Sequence, residues 1–220
     1  MISATDREIY LLAVKDIRAI LLGPCPVDIV EFLAQDGTNT RLRRWAFDDP
    51  PEWADLNVDF QAILLGLDKA VDAFPDNPWT RAMRGRAAVA IRYYPAAFFD
   101  YEVALGAFPD HAFLNTLAGE AHFFHAAHTL EEPLDCYLMA IYHLSHAICM
   151  DIHDPRPYIS RAQARARAMH ICGYHRYSGL FAARFREITD DLDAARKLTD
   201  RSKHGSINAM EQRIKSLLDL

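Results

Sequence analysis

The sharpest chemical signal in the sequence is a set of histidines. His122, His125 and His128 lie three apart, and His143 and His146 repeat that spacing. Side chains at i and i+3 share a helix face. Two such helices packed antiparallel would bring three or four imidazoles together, and imidazole suits zinc, copper, iron or nickel. His122, His125, His143 and His146 are therefore the candidate metal ligands, with Phe124 and Tyr142 beside them and Glu120 or Glu132 able to add a carboxylate. The competing reading is a set of hydrogen-bonded core histidines. No H-E-x-x-H occurs, and these helices carry no Glu-x-x-His pair of the di-iron bundle type.

Other candidates are weaker. Arg161 and Arg165 share a helix face at i, i+4 while Arg167 points elsewhere. They read as an anionic-ligand patch or, more commonly, as a solvated face. Gly173-Tyr174-His175-Arg176-Tyr177-Ser178-Gly179 reads as an aromatic, basic loop of the kind that can line a binding face. Cys25, Cys136, Cys149 and Cys172 form no C-x-x-C pair and read as buried thiols. No Gly-rich phosphate loop, nucleophile elbow or Cys-His nucleophile signature is present, and no cofactor is expected. Catalytic residues can still meet only in the fold, so an enzyme is not excluded, though a non-enzyme is the favoured reading.

The chain that must position these residues has 220 of them, 51% hydrophobic, enough for one large domain or a capped repeat array. A net charge of -6 argues against nucleic acid as a partner. Met1 to Glu8 shows no secretory pattern, and no apolar stretch is long enough to span a membrane. The expected compartment is the cytoplasm.

Helical periodicity runs throughout, with no convincing strand. Thr5-x-x-Glu8 forms a capping box ahead of a helix ended by Gly23-Pro24. A short helix over 27–34, a turn at Asp36-Gly37-Thr38-Asn39, an ambiguous stretch from Arg41 to Trp45 and a break at Asp48 to Pro51 follow. Further helices are expected over 57–73, 78–93, 95–107, 112–128, 133–150, 156–168, 189–199 and 206–218. Thr189 or Asp190 caps the penultimate one. In the last, Ile207, Met210, Ile214, Leu217 and Leu218 share one face.

Within this pattern the sequence repeats at a spacing of 34. Ala70, Ala73, Phe74, Pro75 and Asp76 are matched by Ala104, Ala107, Phe108, Pro109 and Asp110, and Gly85 and Ala87 by Gly119 and Ala121. Such a period signals stacked helix-turn-helix units, which usually build a surface that holds something else. These residues resemble the tetratricopeptide repeat. Numbered from Pro78, Gly85 falls at the small eighth position, Ala97 at the twentieth, Tyr101 at the aromatic twenty-fourth, Ala104 at the twenty-seventh and Pro109 at the thirty-second. In the next unit Gly119 is in place, but the crossing residues Ala140, Leu144 and Ala147 arrive nine residues late.

The resemblance implies an all-α, right-handed stack of about four helical hairpins, a TPR-like α-solenoid with non-repeat helical caps. Residues 1–56 form the N-terminal cap. Residues 57–199 form the hairpins, with insertions near 129–136 and 171–188. Residues 200–220 form an amphipathic cap, which alternatively packs into the groove or makes a homodimer contact. In the family the first helix of each unit lines a concave groove. Carried over, that face contains Trp79, Met83 and Arg86 in one unit and Phe113, Thr116, Glu120, Phe123 and Phe124 in the next. Arg86 stands without the Lys and Asn of a carboxylate clamp. The groove is expected to be partly aromatic and to bind a protein or peptide partner. The alternative function is a metal- or small-molecule-binding helical protein, or an enzyme built on the same helices, using the histidine cluster.

Overall fold

The computed structural model describes residues 4–35, 60–129, 133–174 and 179–220. Every regular element among them is helical: α1 (Ala4–Leu22), α2 (Val27–Gln35), α3 (Phe60–Ala73), α4 (Pro78–Ala90), α5 (Tyr94–Ala107), α6 (Ala112–His128), α7 (Pro133–Met150), α8 (Pro155–Ile171), α9 (Gly179–Leu198), a 3-10 turn (Arg201–Lys203) and α10 (His204–Leu217). The turn expected at Asp36–Asn39, the stretch Arg41–Trp45 and the break at Asp48–Pro51 lie outside the described residues. So do the side chains of the Thr5-x-x-Glu8 box. The chain divides into two compact units, Met1–Pro109 and Asp110–Leu220.

The first unit is organised around the α4/α5 hairpin, with α1 and α3 packed against α4 and α2 against α3. Asn77 caps α4 by accepting from the backbone N–H groups of Trp79 (2.9 Å) and Thr80 (3.2 Å). Pro78 and Pro95 occupy first-turn positions, where a missing N–H has no intrahelical partner to lose. The two helices cross at Gly85. A Cβ placed there would lie 3.1 Å from the Tyr101 ring and 3.4 Å from the Ala97 carbonyl. The small eighth position and the aromatic that fills the space beside it thus meet as the repeat requires.

The second unit contains hairpins α6/α7 and α8/α9, stacked through α7 and α8 and closed by α10 against α8 and α9. Its first crossing repeats the same device. A Cβ on Gly119 would lie 2.7 Å from Leu144 Cγ and 3.2 Å from the Ala140 carbonyl. The nine-residue delay has a simple cause: α6 has 17 residues where α4 has 13, α7 has 18 where α5 has 14, and the connection between the two helices is one residue longer. Each helix gains about one turn at the far end of the hairpin. Within the insertion expected near 129–136, residues 133–136 form the first turn of α7, and 130–132 lie outside the described residues.

The second expected insertion, 171–188, is shorter than the sequence suggested. The helix expected from Thr189 begins at Gly179, and Thr189 and Asp190 lie inside it rather than at its cap. Phe181, Phe185, Ile188, Leu192 and Ala195 form a continuous helical stripe into the core, and burial of that stripe prevails over Gly179 as a breaker. The connection is left to residues 172–178, of which 175–178 lie outside the described residues.

The final helix closes the end of the second unit. Ile207, Ile214 and Leu218 are buried against Ala162, Ala166, Ile188 and Leu192, with Met210 and Leu217 packed alongside. This stripe is covered within the chain, so a homodimer contact through α10 would have to use its other face. No helix among the described residues is long and apolar enough to cross a membrane.

Candidate functional site

The groove residues are mostly interior. Trp79 is buried and stacks on Phe108 with ring centroids 6.0 Å apart. Met83 is fully buried. Arg86, the expected cationic contact, has 0% side-chain exposure and places Nε 2.6 Å from Asp16 Oδ2 of α1. Thr116 is buried, and its hydroxyl donates to the Ala112 carbonyl at 3.0 Å. Glu120 accepts from Arg156 Nε (2.7 Å), Arg156 Nη2 (2.5 Å) and the Ser160 hydroxyl (3.2 Å), all on α8. Phe123 is half-buried against Tyr137, with centroids 5.8 Å apart, beside Ala126, Ala140 and Leu144.

Both charges expected to serve a ligand are thus turned to neighbouring helices. A charge removed from water must be paired nearby. These two residues tie one first helix to a neighbour, α1 to α4 and α6 to α8. Their partners are far away in sequence, so no local spacing revealed them. Phe113 and Phe124, like Phe123, are partly buried on α6.

A second set of polar residues was missed. Asp100 of α5 is fully buried and receives Arg84 through Nε (2.8 Å) and Nη2 (2.7 Å), with Arg81 Nη1 at 3.4 Å. The Asp100 hydrogen bond is the largest cause holding the Arg84 guanidinium above its usual pKa. In α8/α9 the same motif recurs. Buried Asp191 receives Arg161 through Nε (3.1 Å) and Nη2 (2.6 Å), and Arg165 Nη1 at 2.7 Å. Arg161 and Arg165 are thus neither an anion patch nor a solvated face. For α4/α5 the available signal was Arg81 and Arg84 on the first helix followed by a lone Asp, Asp100, in an apolar second helix; in α9, where Asp190 and Asp193 flank Asp191, no such signal stood out.

The four candidate metal ligands do not converge. His122 and His143 meet, their rings stacked with centroids 5.7 Å apart and planes within 9°. His143 Nδ1 is 3.1 Å from Asn115 Oδ1. His125 Nδ1 instead lies 3.4 Å from Cys136 Sγ, and His146 Nε2 lies 3.1 Å from Asp110 Oδ1. His128 Nδ1 lies 2.7 Å from the Phe124 carbonyl. Burial pushes His122 down to about 4, helped by His143 and then His125. Burial, then His146, lowers His143. Among the described residues no group of three or more His, Cys, Asp or Glu is placed to hold a metal.

Such an arrangement holds helices together, and burial favours the neutral form of His122 and His143 inside the hairpin. The fold and the crossings at Gly85 and Gly119 define an all-α protein of tetratricopeptide-like helical hairpins. Among solved structures it is similar to a thermophilic TPR protein from Thermus thermophilus, at 14% sequence identity, 73% coverage of this chain, 91% of that chain and a TM-score of 0.45. No protein-family model matches the chain, and no curated protein does. The description of the fold rests on this chain's own helices and crossings.

Proposed function

We propose that this chain is a non-catalytic scaffold that binds a protein or peptide through partly aromatic surface on its first helices. One observation carries the reading. The charged side chains expected to serve a ligand, Arg86 and Glu120, are engaged in helix-to-helix pairs, while Phe113 and Phe124 are only partly buried on α6. Burial of aromatic surface, rather than bond chemistry, is what such residues offer. The net charge of -6 disfavours a nucleic-acid partner. Four free thiols fit the reducing cytoplasm as its compartment.

Photo-crosslinking tests the proposal. A benzophenone side chain is placed at position 113 in the full chain, and at exposed position 201 as control. Crosslinking of one protein at 113 but not at 201, competed by excess unmodified chain and lost in Phe124→Asp with helicity intact, supports it. Equal labelling at both positions, or labelling that resists competition, overturns it.

A further inference from the structure

About their crossings the hairpins align position by position, and the middle one differs in its polar residues. Asp100 of α5, the anchor of the Arg84 clasp, corresponds to His143 of α7 by the same offset that carries Ala97 to Ala140. Arg81 corresponds to Asn115, and Ala88 to His122. A permanent ion pair in α4/α5 is thus replaced in α6/α7 by a stacked pair of imidazoles with Asn115 as neighbour. The clasp returns in α8/α9 at Asp191.

We propose that this stack is an acid-operated latch: protonation of His122 and His143 releases α7 from α6, whereas the Arg–Asp clasp keeps α4/α5 closed. The inference is independent of what the scaffold carries. Two imidazolium ions cannot share a gap between stacked rings without repulsion, and burial adds a desolvation cost to each. Within the unit, the titratable and charged groups on the packed helices include Glu120, His125 and His128 on α6, Cys136, Tyr142 and His146 on α7, and Arg156 and Arg161 on α8. Arg156 holds Glu120, and Arg161 holds Asp191 and Ser145. The charges that bear on the two rings come from imidazoles: His143 and His125 act on His122, and His146 acts on His143. Each proton added therefore makes the next less tolerable.

The sign follows from the direction of the shift. The unfolded chain takes up protons near the ordinary histidine value of about 6.5. The folded hairpin resists until about pH 4 at His122. Stability is complete above about 6.5 and is lost as the pH falls toward 4. At pH 5 the opening equilibrium grows by roughly thirtyfold for His122 alone.

Hydrogen exchange on the full chain at pH 7.5 and pH 5.0, corrected for intrinsic rates, tests this. The expected result is a loss of protection in peptides from 112–150 at least tenfold greater than in peptides from 78–107. His122→Gln with His143→Gln should remove most of that excess. Equal losses in both segments overturn the latch, as does an unchanged excess in the double variant. Should the variant fold poorly, NMR titration of the wild-type histidine rings decides the matter. Two rings titrating below pH 5.5 as the α6 and α7 signals weaken support the latch. Rings titrating near 6.5 with those signals intact overturn it.

Discussion

Hairpins α4/α5 and α6/α7 solve one packing problem with different polar chemistry. Both cross at a glycine facing an alanine and a larger side chain, Tyr101 in one and Leu144 in the other. Beside that crossing the first hairpin buries a carboxylate between two guanidiniums, and the second buries two imidazoles next to an amide. A buried ion pair fixes geometry strongly but makes the loss of either partner costly. A neutral pair costs less to bury and less to lose. The backbone frame is shared, and the contents of the frame decide how each hairpin responds to change.

The largest expected effect tests that difference directly. Asp100→Asn removes the charge between Arg81 and Arg84, whose side chains are 15% and 19% exposed. Residual hydration of the guanidiniums puts the loss at about 3 kcal/mol, the low end for breaking a buried pair. His143→Gln keeps a hydrogen-bonding partner for Asn115 and loses only ring packing, about 1 kcal/mol at pH 7.5. Asp191→Asn should behave like Asp100→Asn, because Arg161 and Arg165 bracket it in the same way. Urea unfolding followed by circular dichroism measures all three. A cost for His143→Gln equal to that for Asp100→Asn would erase the distinction between the hairpins.

A smaller effect separates the two crossings themselves. At Gly119 an added methyl meets Leu144 Cγ at 2.7 Å, so Gly119→Ala forces that branched carbon to move and costs about 1–2 kcal/mol. At Gly85 the methyl meets the Tyr101 ring at 3.1 Å, where a slight ring shift suffices. Ala also favours a helix interior by about 1 kcal/mol over Gly. Gly85→Ala should therefore be close to neutral. A reversed order in the unfolding midpoints would show that the longer hairpin packs its crossing more loosely.

How much of this was legible follows from where each partner lies. The crossings were legible because Gly85, Ala97 and Tyr101 recur as Gly119, Ala140 and Leu144. A helix can lengthen by a turn and keep its facing residues, so the nine-residue delay did not hide them. The start of α9 was not, because Gly173 and Gly179 were weighed as breakers ahead of the Phe181, Phe185, Ile188 and Leu192 stripe. The pairing of the groove charges was hidden for another reason. Arg86 finds Asp16 and Glu120 finds Arg156, partners that no helical periodicity connects. The histidines failed similarly. Spacing of three places residues on one face, but which imidazoles meet across a hairpin depends on the register, and here His122 stacks on His143.

The helix starts give the smallest and cleanest version of the comparison. Asn77 caps α4, and Asp154 caps α8 by accepting from the Arg156 N–H at 2.9 Å. His111 stands at the equivalent position before α6, with extended backbone (φ -83, ψ 112) but no side-chain cap hydrogen bond. The backbone is thus already set for a cap that the side chain does not supply. Burial lowers the His111 pKa, which favours the neutral ring at this helix start. Asn77→Ala should cost about 1 kcal/mol, and His111→Asn should gain a few tenths to about 1 kcal/mol. The gain should appear as slower exchange of the amides at 113 and 114. If His111→Asn instead destabilises the chain while Asn77→Ala behaves as stated, the His111 ring contributes packing worth more than a cap.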